Sequence, residues 1–311
     1  MKHIIFGGSG FIGCRLAVEL LEQGGEVLIL DRLPPLDHFK EKLGNLGGIY
    51  VSTNLDDFSE TARNIELNTY KNEEIEIWHL AANSDIRKGI EDPHVDFQDT
   101  LSTTLTAIAV SKELNTKSIL FASSSAIFGD QQEAPIGENN LIPAPASNYG
   151  NMKLASENSL KIHAQLTEIR TRIYRFPNVI GWPTTHGVIF DFYNQLKIQK
   201  EVLEVLGDGN QTKPYIHVND LVDIMIKLVT LGDSLEVFNI APNDEGISVK
   251  AIAEAVTTKF APSAKIEYQN SATGWFGDVP RYNFDVGKLL SFMPDLRLSS
   301  RSALTRVIEE I

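Results

Sequence analysis

The chain has a single cysteine, Cys14, among 311 residues. An intramolecular disulfide framework is therefore excluded. It has no apolar run approaching the ~20 residues that a membrane-spanning helix needs. Its N-terminus, Met-Lys-His ahead of a strand-like run, is read as carrying no signal peptide, and the expected compartment is the cytoplasm. Positive charge is scarce as well: 28 Lys and Arg stand against 41 Asp and Glu, a net charge of −13, with no basic cluster. That balance argues against a nucleic-acid or anionic-membrane surface. Internal repeats and low-complexity tracts are also missing. What is present is the ordinary mixture of a globular protein, 42% apolar and 22% charged, long enough for one large domain or two ordinary ones. An acidic protein that binds an anionic ligand must concentrate a few cations locally, so single Lys and Arg residues carry weight.

The first thirty residues form a recognisable unit. The apolar run His3 to Phe6 ends in Gly7-Gly8-Ser9-Gly10-Phe11-Ile12-Gly13, and Leu16, Ala17, Leu20 and Leu21 follow at helical spacing until Gly24-Gly25. Val27 to Leu30 is a second strand, closed by Asp31. Glycines at this spacing let the backbone turn tightly and approach a pyrophosphate seated on a helix N-terminus. Asp31 stands where an acid takes the ribose hydroxyls of adenosine. A glycine turn without a ligand is the plain alternative, but the complete strand, loop, helix, strand and acid favour a dinucleotide site. Asp31 repels a 2′-phosphate and so prefers NAD to NADP, although Arg32 beside it works the other way.

Further strand ends collect around this loop. Residues 34–48 are polar and turn-rich and show no clear element. Gly48 to Ser52 reads as a third strand, with Asn54-Leu55-Asp56 after it as either an adenine-edge contact or a simple loop. Glu76 to Ala82 is a buried strand running into Leu80, Ala81 and Ala82, small enough at its end for a cofactor to lie on the backbone. His79 within it is better read as a core histidine than as a catalytic one. A polar loop with Ser84 follows, then an expected helix over Val95–Asn115, and Ser118 to Ala122 delivers Ser123-Ser124-Ser125 to the same edge. The long loop from Asp130 to Ser147 leads into a helix over Asn148–Glu168. Tyr149 and Lys153 fall one turn apart on one face of that helix. A fixed cation near a phenol favours the phenolate, so the pair could remove a hydroxyl proton with Ser124 as its hydroxyl partner. Tyr-x-x-x-Lys alone is a common surface spacing, and the serine triplet alone could be a cap. Later segments include a strand to Phe176, a helix opening near Val188, Lys213-Pro214-Tyr215 leading to a helix capped at Asn219, a late strand over Val237 to Ala241, a helix capped by Ser248, and a final helix near Ser299 to Ile311.

Taken together these motifs resemble the extended short-chain dehydrogenase/reductase family of NAD-dependent nucleotide-sugar epimerases and dehydratases, and within it the UDP-glucose (UDP-galactose) 4-epimerases most. The resemblance spans nearly the whole chain and rests on Gly7 to Gly13, His79 to Ala82, Ser123 to Ser125, Tyr149 with Lys153, Arg175-Phe176-Pro177-Asn178, and Gly207-Asp208-Gly209 through Val218. It implies an α/β fold: a Rossmann-like doubly wound parallel sheet of seven strands over 1–175, rejoined by 214–242, with a smaller nucleotide-sugar domain over 176–213 and 243–311. It also implies a homodimer through the two helices beginning at Val95 and Asn148. NAD would contact Gly7, Gly10, Phe11, Ile12, Gly13, Asp31, Asn54, Leu55, Leu80, Ala81, Ala82, Ser123, Tyr149, Lys153 and Phe176. The nucleotide sugar, UDP-linked by preference, would meet Ser84, Ser124, Tyr149, Asn178, Val188, Lys213, Tyr215, Asp278 and Arg281. Ser124, Tyr149 and Lys153 would form the catalytic set, with no metal, and Lys153 would hold the nicotinamide ribose and depress the phenol.

Several positions depart from that pattern. Lys213 replaces an arginine, which keeps the charge and loses the bidentate fork. Thr100 stands where an asparagine is usual, and Arg281 is the one cation near Gly277-Asp278. Ser125-Ala126 follow Ser124 where dehydratases carry an acid pair and nucleotide-sugar decarboxylases a glutamate. The expected reaction is therefore 4-epimerisation, with a 4-ketoreductase or 4,6-dehydratase as alternatives and a non-enzymatic NAD-binding regulator as the remote one.

Overall fold

The computed structural model describes residues 1–70, 73–129, 135–139, 143–167, 169–269 and 283–311, without the side chain of Arg87. Two compact units emerge. The first comprises Met1–Ile127, Pro143–Arg175 and Val222–Phe238; the second comprises Phe128–Ile142, Phe176–Leu221 and Asn239–Ile311. Residues 128–142 and 214–221 thus cluster with the second unit, whereas the sequence placed them with the first.

Seven strands form the first unit's sheet: β1 (Lys2–Phe6), β2 (Glu26–Asp31), β3 (Ile49–Ser52), β4 (Ile75–His79), β5 (Ser118–Ala122), β6 (Arg170–Arg175) and β7 (Leu235–Asn239). Their spatial order is β7-β6-β5-β4-β1-β2-β3. Every neighbouring pair from β3 to β6 is parallel. Strands buried on both faces read as nearly continuous apolar runs, and β1, β4 and β5 do so. Ile4, Phe6, Leu28, Ile77, Phe121 and Ile173 share one core cluster. Because β1 pairs with both β2 and β4, the winding reverses between β1 and β4, the crevice where open α/β sheets take ligands. Phe6 lies level with Leu30 and with His79. Gly7, Asp31 and Leu80 therefore leave the sheet at one edge.

Helix α1 (Phe11–Glu22) follows β1 and buries Leu16, Ala17, Leu20 and Leu21. Helix α2 (Asp37–Asn45) occupies the segment that showed no periodicity; Leu43 is its one buried residue, so there was no apolar stripe to read. Helix α3 (Phe58–Asn64) is capped by Asp57, which accepts from the Glu60 amide. The helix expected over Val95–Asn115 is divided. Short helices α4 (Ile86–Glu91) and α5 (Pro93–Asp96) precede a wider-wound stretch, Phe97–Ser102, and then α6 (Thr103–Leu114). Asp92 caps α5 by accepting from the His94 amide, and Pro93 sits at its first turn, where a missing N–H costs nothing. Helix α7 (Asn148–Thr167) supplies the Tyr149 face. Arg172 on β6 is fully buried and donates to the carbonyls of Leu228, Leu231 and Ser234, tying the sheet to the segment before β7.

In the second unit, helices Val188–Ile198, Val249–Phe260 and Ser300–Glu310 enclose a core containing Phe192, Leu203, Ile252, Val256 and Leu304. Two parallel pairs complete it, Asn178–Ile180 with Tyr215–His217 and Val202–Val205 with Lys265–Tyr268. Ser248 caps its helix as read, accepting from the Ala251 amide. Among the described residues, no helix is long and apolar enough to cross a membrane.

Candidate active site

The glycine loop is shaped by its own neighbours at two positions and by none at a third. Gly7 has φ +77°, and a Cβ there would meet the Ala81 backbone N at 2.6 Å. A Cβ on Gly13 would meet the Gly7 carbonyl at 2.5 Å. These two are glycines because the loop packs against β4 and against itself. Gly10 is different: it is exposed, has an ordinary φ of −74°, and its nearest neighbour would be the Gly7 carbonyl at 3.5 Å. Nothing in the chain demands a glycine at 10, so the open space over it fits a group brought in from outside. Helix α1 starts there without a side-chain cap, which leaves its positive end for an anion. Phe11 and Ile12 begin the helix half-buried, with the Arg15 guanidinium over the Phe11 ring at 4.4 Å.

Asp31 ends β2 beside this loop. Its Oδ2 accepts from the Ser9 amide at 3.2 Å and its Oδ1 from the Leu33 amide at 3.3 Å. Burial raises its carboxyl above the usual range, and these amides oppose the rise. Arg32, the cation that could have welcomed a 2′-phosphate, is paired with Asp99 at 2.9 Å. Of the segment after β3, Leu55 belongs to the apolar core, while Asn54 is bound through its amide to Glu60 and through its carbonyl to Thr61. Asp56 keeps a buried Oδ1 with no hydrogen-bond partner among the described residues, an acceptor suited to a base edge. Leu80, Ala81 and Ala82 follow β4 at the same edge, and Ser84 is exposed just beyond them. An uncapped helix start, open space over Gly10, a held carboxylate and an orphaned acceptor together fit a dinucleotide.

The candidate reacting groups stand just beyond β5 and at the start of α7. Gly150 permits the approach: a Cβ there would meet the Ala126 carbonyl at 2.3 Å, so only glycine lets the start of α7 lie against the turn after Ser124. Ser124 Oγ accepts from the Ala126 amide at 3.1 Å and hydrogen-bonds with Tyr149. Lys153 is buried, donates to the Ala122 carbonyl at 2.6 Å, and places Nζ 5.8 Å from the Tyr149 ring centre. Burial pushes the Tyr149 phenol up to about 12, against the Ser124 hydrogen bond, and Asp96 adds to the rise. Burial likewise pulls the Lys153 ammonium down to about 7, with Glu157 opposing. For both groups desolvation is the largest influence.

Sequence reading missed Glu157. It lies one turn beyond Lys153 on α7 and is completely buried. Its Oε1 accepts from Ser123 Oγ at 2.6 Å and from Arg175 Nε at 2.9 Å; its Oε2 accepts from Arg175 Nη2 at 2.6 Å. Burial works against the Glu157 carboxylate, but the Arg175 guanidinium outweighs it and holds the group below its usual range. Ser123 thus spends its hydroxyl on Glu157 instead of presenting it at the sheet edge. His79 is the core histidine expected, bonded through Nε2 to Thr104 at 2.7 Å and held well below its usual value by burial, with Lys153 adding to the effect.

The remaining site candidates lie in the second unit. Asn178 is exposed and Val188 half-buried at the start of its helix. Phe176 is buried. Lys213 is half-buried on a two-residue strand paired with Ile247. Tyr215 is buried in the apolar core there, its amide donating to Ser300 Oγ at 3.1 Å. Asp278 and Arg281 lie outside the described residues.

Residues 3–241 match the NAD dependent epimerase/dehydratase family. The chain is a member of that family. A putative UDP-glucose 4-epimerase of Methanocaldococcus jannaschii is 26% identical over 98% of this chain and 96% of its own. UDP-glucuronic acid decarboxylase 1 of Arabidopsis thaliana is 25% identical over the whole chain and 69% of its own length. A crystal structure of a UDP-galactose 4-epimerase superposes with a TM-score of 0.84 at 27% identity, covering 100% of this chain and 98% of that one. NAD is the family's cofactor.

Proposed function

We propose that the protein is a nucleotide-sugar 4-epimerase acting on a UDP-glucose or UDP-galactose type of substrate through a transient 4-keto sugar. The observation that carries this reading is the assembly of Ser124, Tyr149 and Lys153 with only Ser125 and Ala126 beyond Ser124. Such a set removes and returns one hydroxyl proton. It holds no further acid there to expel water from the neighbouring carbons, which a 4,6-dehydratase needs, and no carboxylate at the position where decarboxylases carry glutamate.

Tyr149 takes the proton of the C4 hydroxyl and later gives it back to the C4 oxygen. Ser124 holds that oxygen in both states, and Lys153 supplies positive charge beside the phenol. Bound NAD supplies the hydride acceptor and donor, and its positive ring favours the phenolate in the oxidised state. Within the second unit Asn178 and Lys213 would take the diphosphate, with Asp278 and Arg281 toward the nucleotide. UDP is favoured by the UDP-sugars for which the epimerase relatives are named. We place the protein in the cytoplasm, which suits its one buried thiol, and assign it a homodimer built on α6 and α7.

Tyr149→Phe is expected to lower interconversion of UDP-glucose and UDP-galactose by at least ~10³-fold while NAD binding persists. Coupled assay of the sugar without added reductant gives the first quantity and retention of NAD through gel filtration the second. Near-normal turnover in the variant would refute the role of Tyr149. Stoichiometric consumption of NADH by a 4-keto sugar, without interconversion, would make the protein a ketoreductase.

A further inference from the structure

The mechanism above leaves one buried acid unused. Asp96, the last residue of α5, is fully buried. Its Oδ1 accepts from Asn83 Nδ2 at 2.8 Å, and its Oδ2 is buried with no partner among the described residues. A carboxylate taken from water with half its acceptors unsatisfied is costly and calls for a reason. The surroundings are built to admit it. Gly89 on α4 faces it so closely that a Cβ there would fall 1.9 Å from Asp96 Oδ2. The Gly89 carbonyl in turn accepts from Asn148 Nδ2 at 2.9 Å, which ties this corner to the residue next to Tyr149. Asn83 is itself fixed, its amide donating to Thr100 Oγ1 at 3.2 Å and its side chain also donating to the Asp85 carbonyl at 2.7 Å.

We propose that Asp96 is a positioning residue for the reaction's proton: its buried carboxylate, held by Asn83 against Gly89, acts on the chemistry through Tyr149. The inference rests on the reading of Tyr149 as the acid/base group. The groups that face Asp96 are few. Its own chain continues to Asp99 in the next turn, the loop after β4 presents the neutral Asn83, α4 presents Gly89 and carries the exposed Lys88, and α5 packs against α7, the helix that carries Tyr149. No cation among these offsets the charge. Burial and Asp99 raise the Asp96 carboxyl, with Asn83 opposing, and its negative charge works against ionisation of the phenol. A like charge placed there keeps Tyr149 protonated until a positive group arrives, so the base appears only in the loaded site. Lys153 Nζ lies 5.8 Å from the Tyr149 ring centre.

The test uses the full chain loaded with NAD and follows the near-ultraviolet phenolate band against pH. The difference between parent and Tyr149→Phe isolates the Tyr149 step. Asp96→Asn keeps the shape and removes the charge; Asp96→Ser carries the same test if the first variant does not fold, and retained NAD binding certifies either one. The expected result is a Tyr149 midpoint about one pH unit lower than in the parent, hence about tenfold more phenolate at a given pH below it. A merely structural Asp96 would lower the melting temperature and leave that midpoint in place, and an unmoved or higher midpoint overturns the proposal. If parent and Tyr149→Phe titrate alike, it is the reading of Tyr149 as a tuned base that falls, and the role of Asp96 falls with it.

Discussion

Lys153 sets folding against chemistry within one side chain. Its ammonium is buried beside Phe121, with Nζ 4.7 Å from the ring centre, and one short bond to the Ala122 carbonyl replaces its hydration. Burial pulls it down to about 7 from its ordinary 10.5. The sign follows directly. Below pH 7 both folded and unfolded chains carry the proton, and the cost of burying it is present in full. Between about 7 and 10.5 the unfolded chain binds more protons, so stability rises with pH and the cost is progressively relieved. Lys153→Met is therefore expected to stabilise the protein by on the order of 2 kcal/mol at pH 6, less at pH 9, while removing activity. Thermal melts at the two pH values check this; a gain that is equal at both, or larger at pH 9, would show that the burial cost is not what the substitution relieves. Glu157 and Asp96 show what residue-by-residue reading could not reach. Each is one acid among 41 Asp and Glu, and each looks like any solvated charge until the fold buries it. The spacing of Tyr149, Lys153 and Glu157, four residues apart each time on α7, was the one available signal for Glu157.

At the scale of elements, the glycine loop separates structural from ligand demands. Gly13→Ala would force a methyl into the Gly7 carbonyl, so it is expected to destabilise the unit by about 1–3 kcal/mol and to lose NAD with it. Gly10→Ala has room within the protein and an allowed backbone, so its stability is expected to stay within about 0.5 kcal/mol of the parent. Its affinity for NAD should nevertheless fall by ten-fold or more, since the methyl occupies the space over the helix start. Calorimetric NAD titration beside urea unfolding separates the two. Unchanged affinity in Gly10→Ala would place the pyrophosphate elsewhere. The contrast also explains which elements were legible. β1, β2, β4 and β5 advertise themselves because burial on both faces selects mostly apolar residues. Helix α2 buries one leucine, α4 and α5 are short and polar, and the strand Lys265–Tyr268 alternates exposed with half-buried positions, so none imposes a pattern on its sequence. The break at Phe97–Ser102 was invisible because the expectation over Val95–Asn115 rested on composition, rich in Thr and Ala without Pro or Gly, and a wider turn needs neither. Catalytic placement was legible for the opposite reason. Tyr149, Lys153 and Ser124 announce a chemistry by residue type, and the parallel sheet can deliver them only to its C-terminal edge.

At the scale of the whole molecule, the proposed homodimer is testable at the surface of α6 and α7. Ile162 and Leu166 stand one turn apart on α7 and are 58% and 75% exposed. Leu105 on α6 and Phe97 before it are exposed too, and α6 packs beside α7 in the first unit. A monomer carrying a charge of −13 has polar groups enough to cover two helices, and a line of apolar side chains on adjacent ones is the composition of an interface core. A twofold arrangement would set each α7 against its own copy, so one substitution appears twice in the contact. Leu166→Glu would then bring two carboxylates into the apolar centre, in a chain whose acidity already opposes association. Size-exclusion chromatography with light scattering is expected to give a dimer for the parent and a monomer for Leu166→Glu. NAD should be retained in the variant, because Leu166 lies more than four turns along α7 from Tyr149. A dimer that survives both Leu166→Glu and Ile162→Glu would remove α7 from the interface, and a parent that runs as a monomer at micromolar concentration would remove the dimer itself.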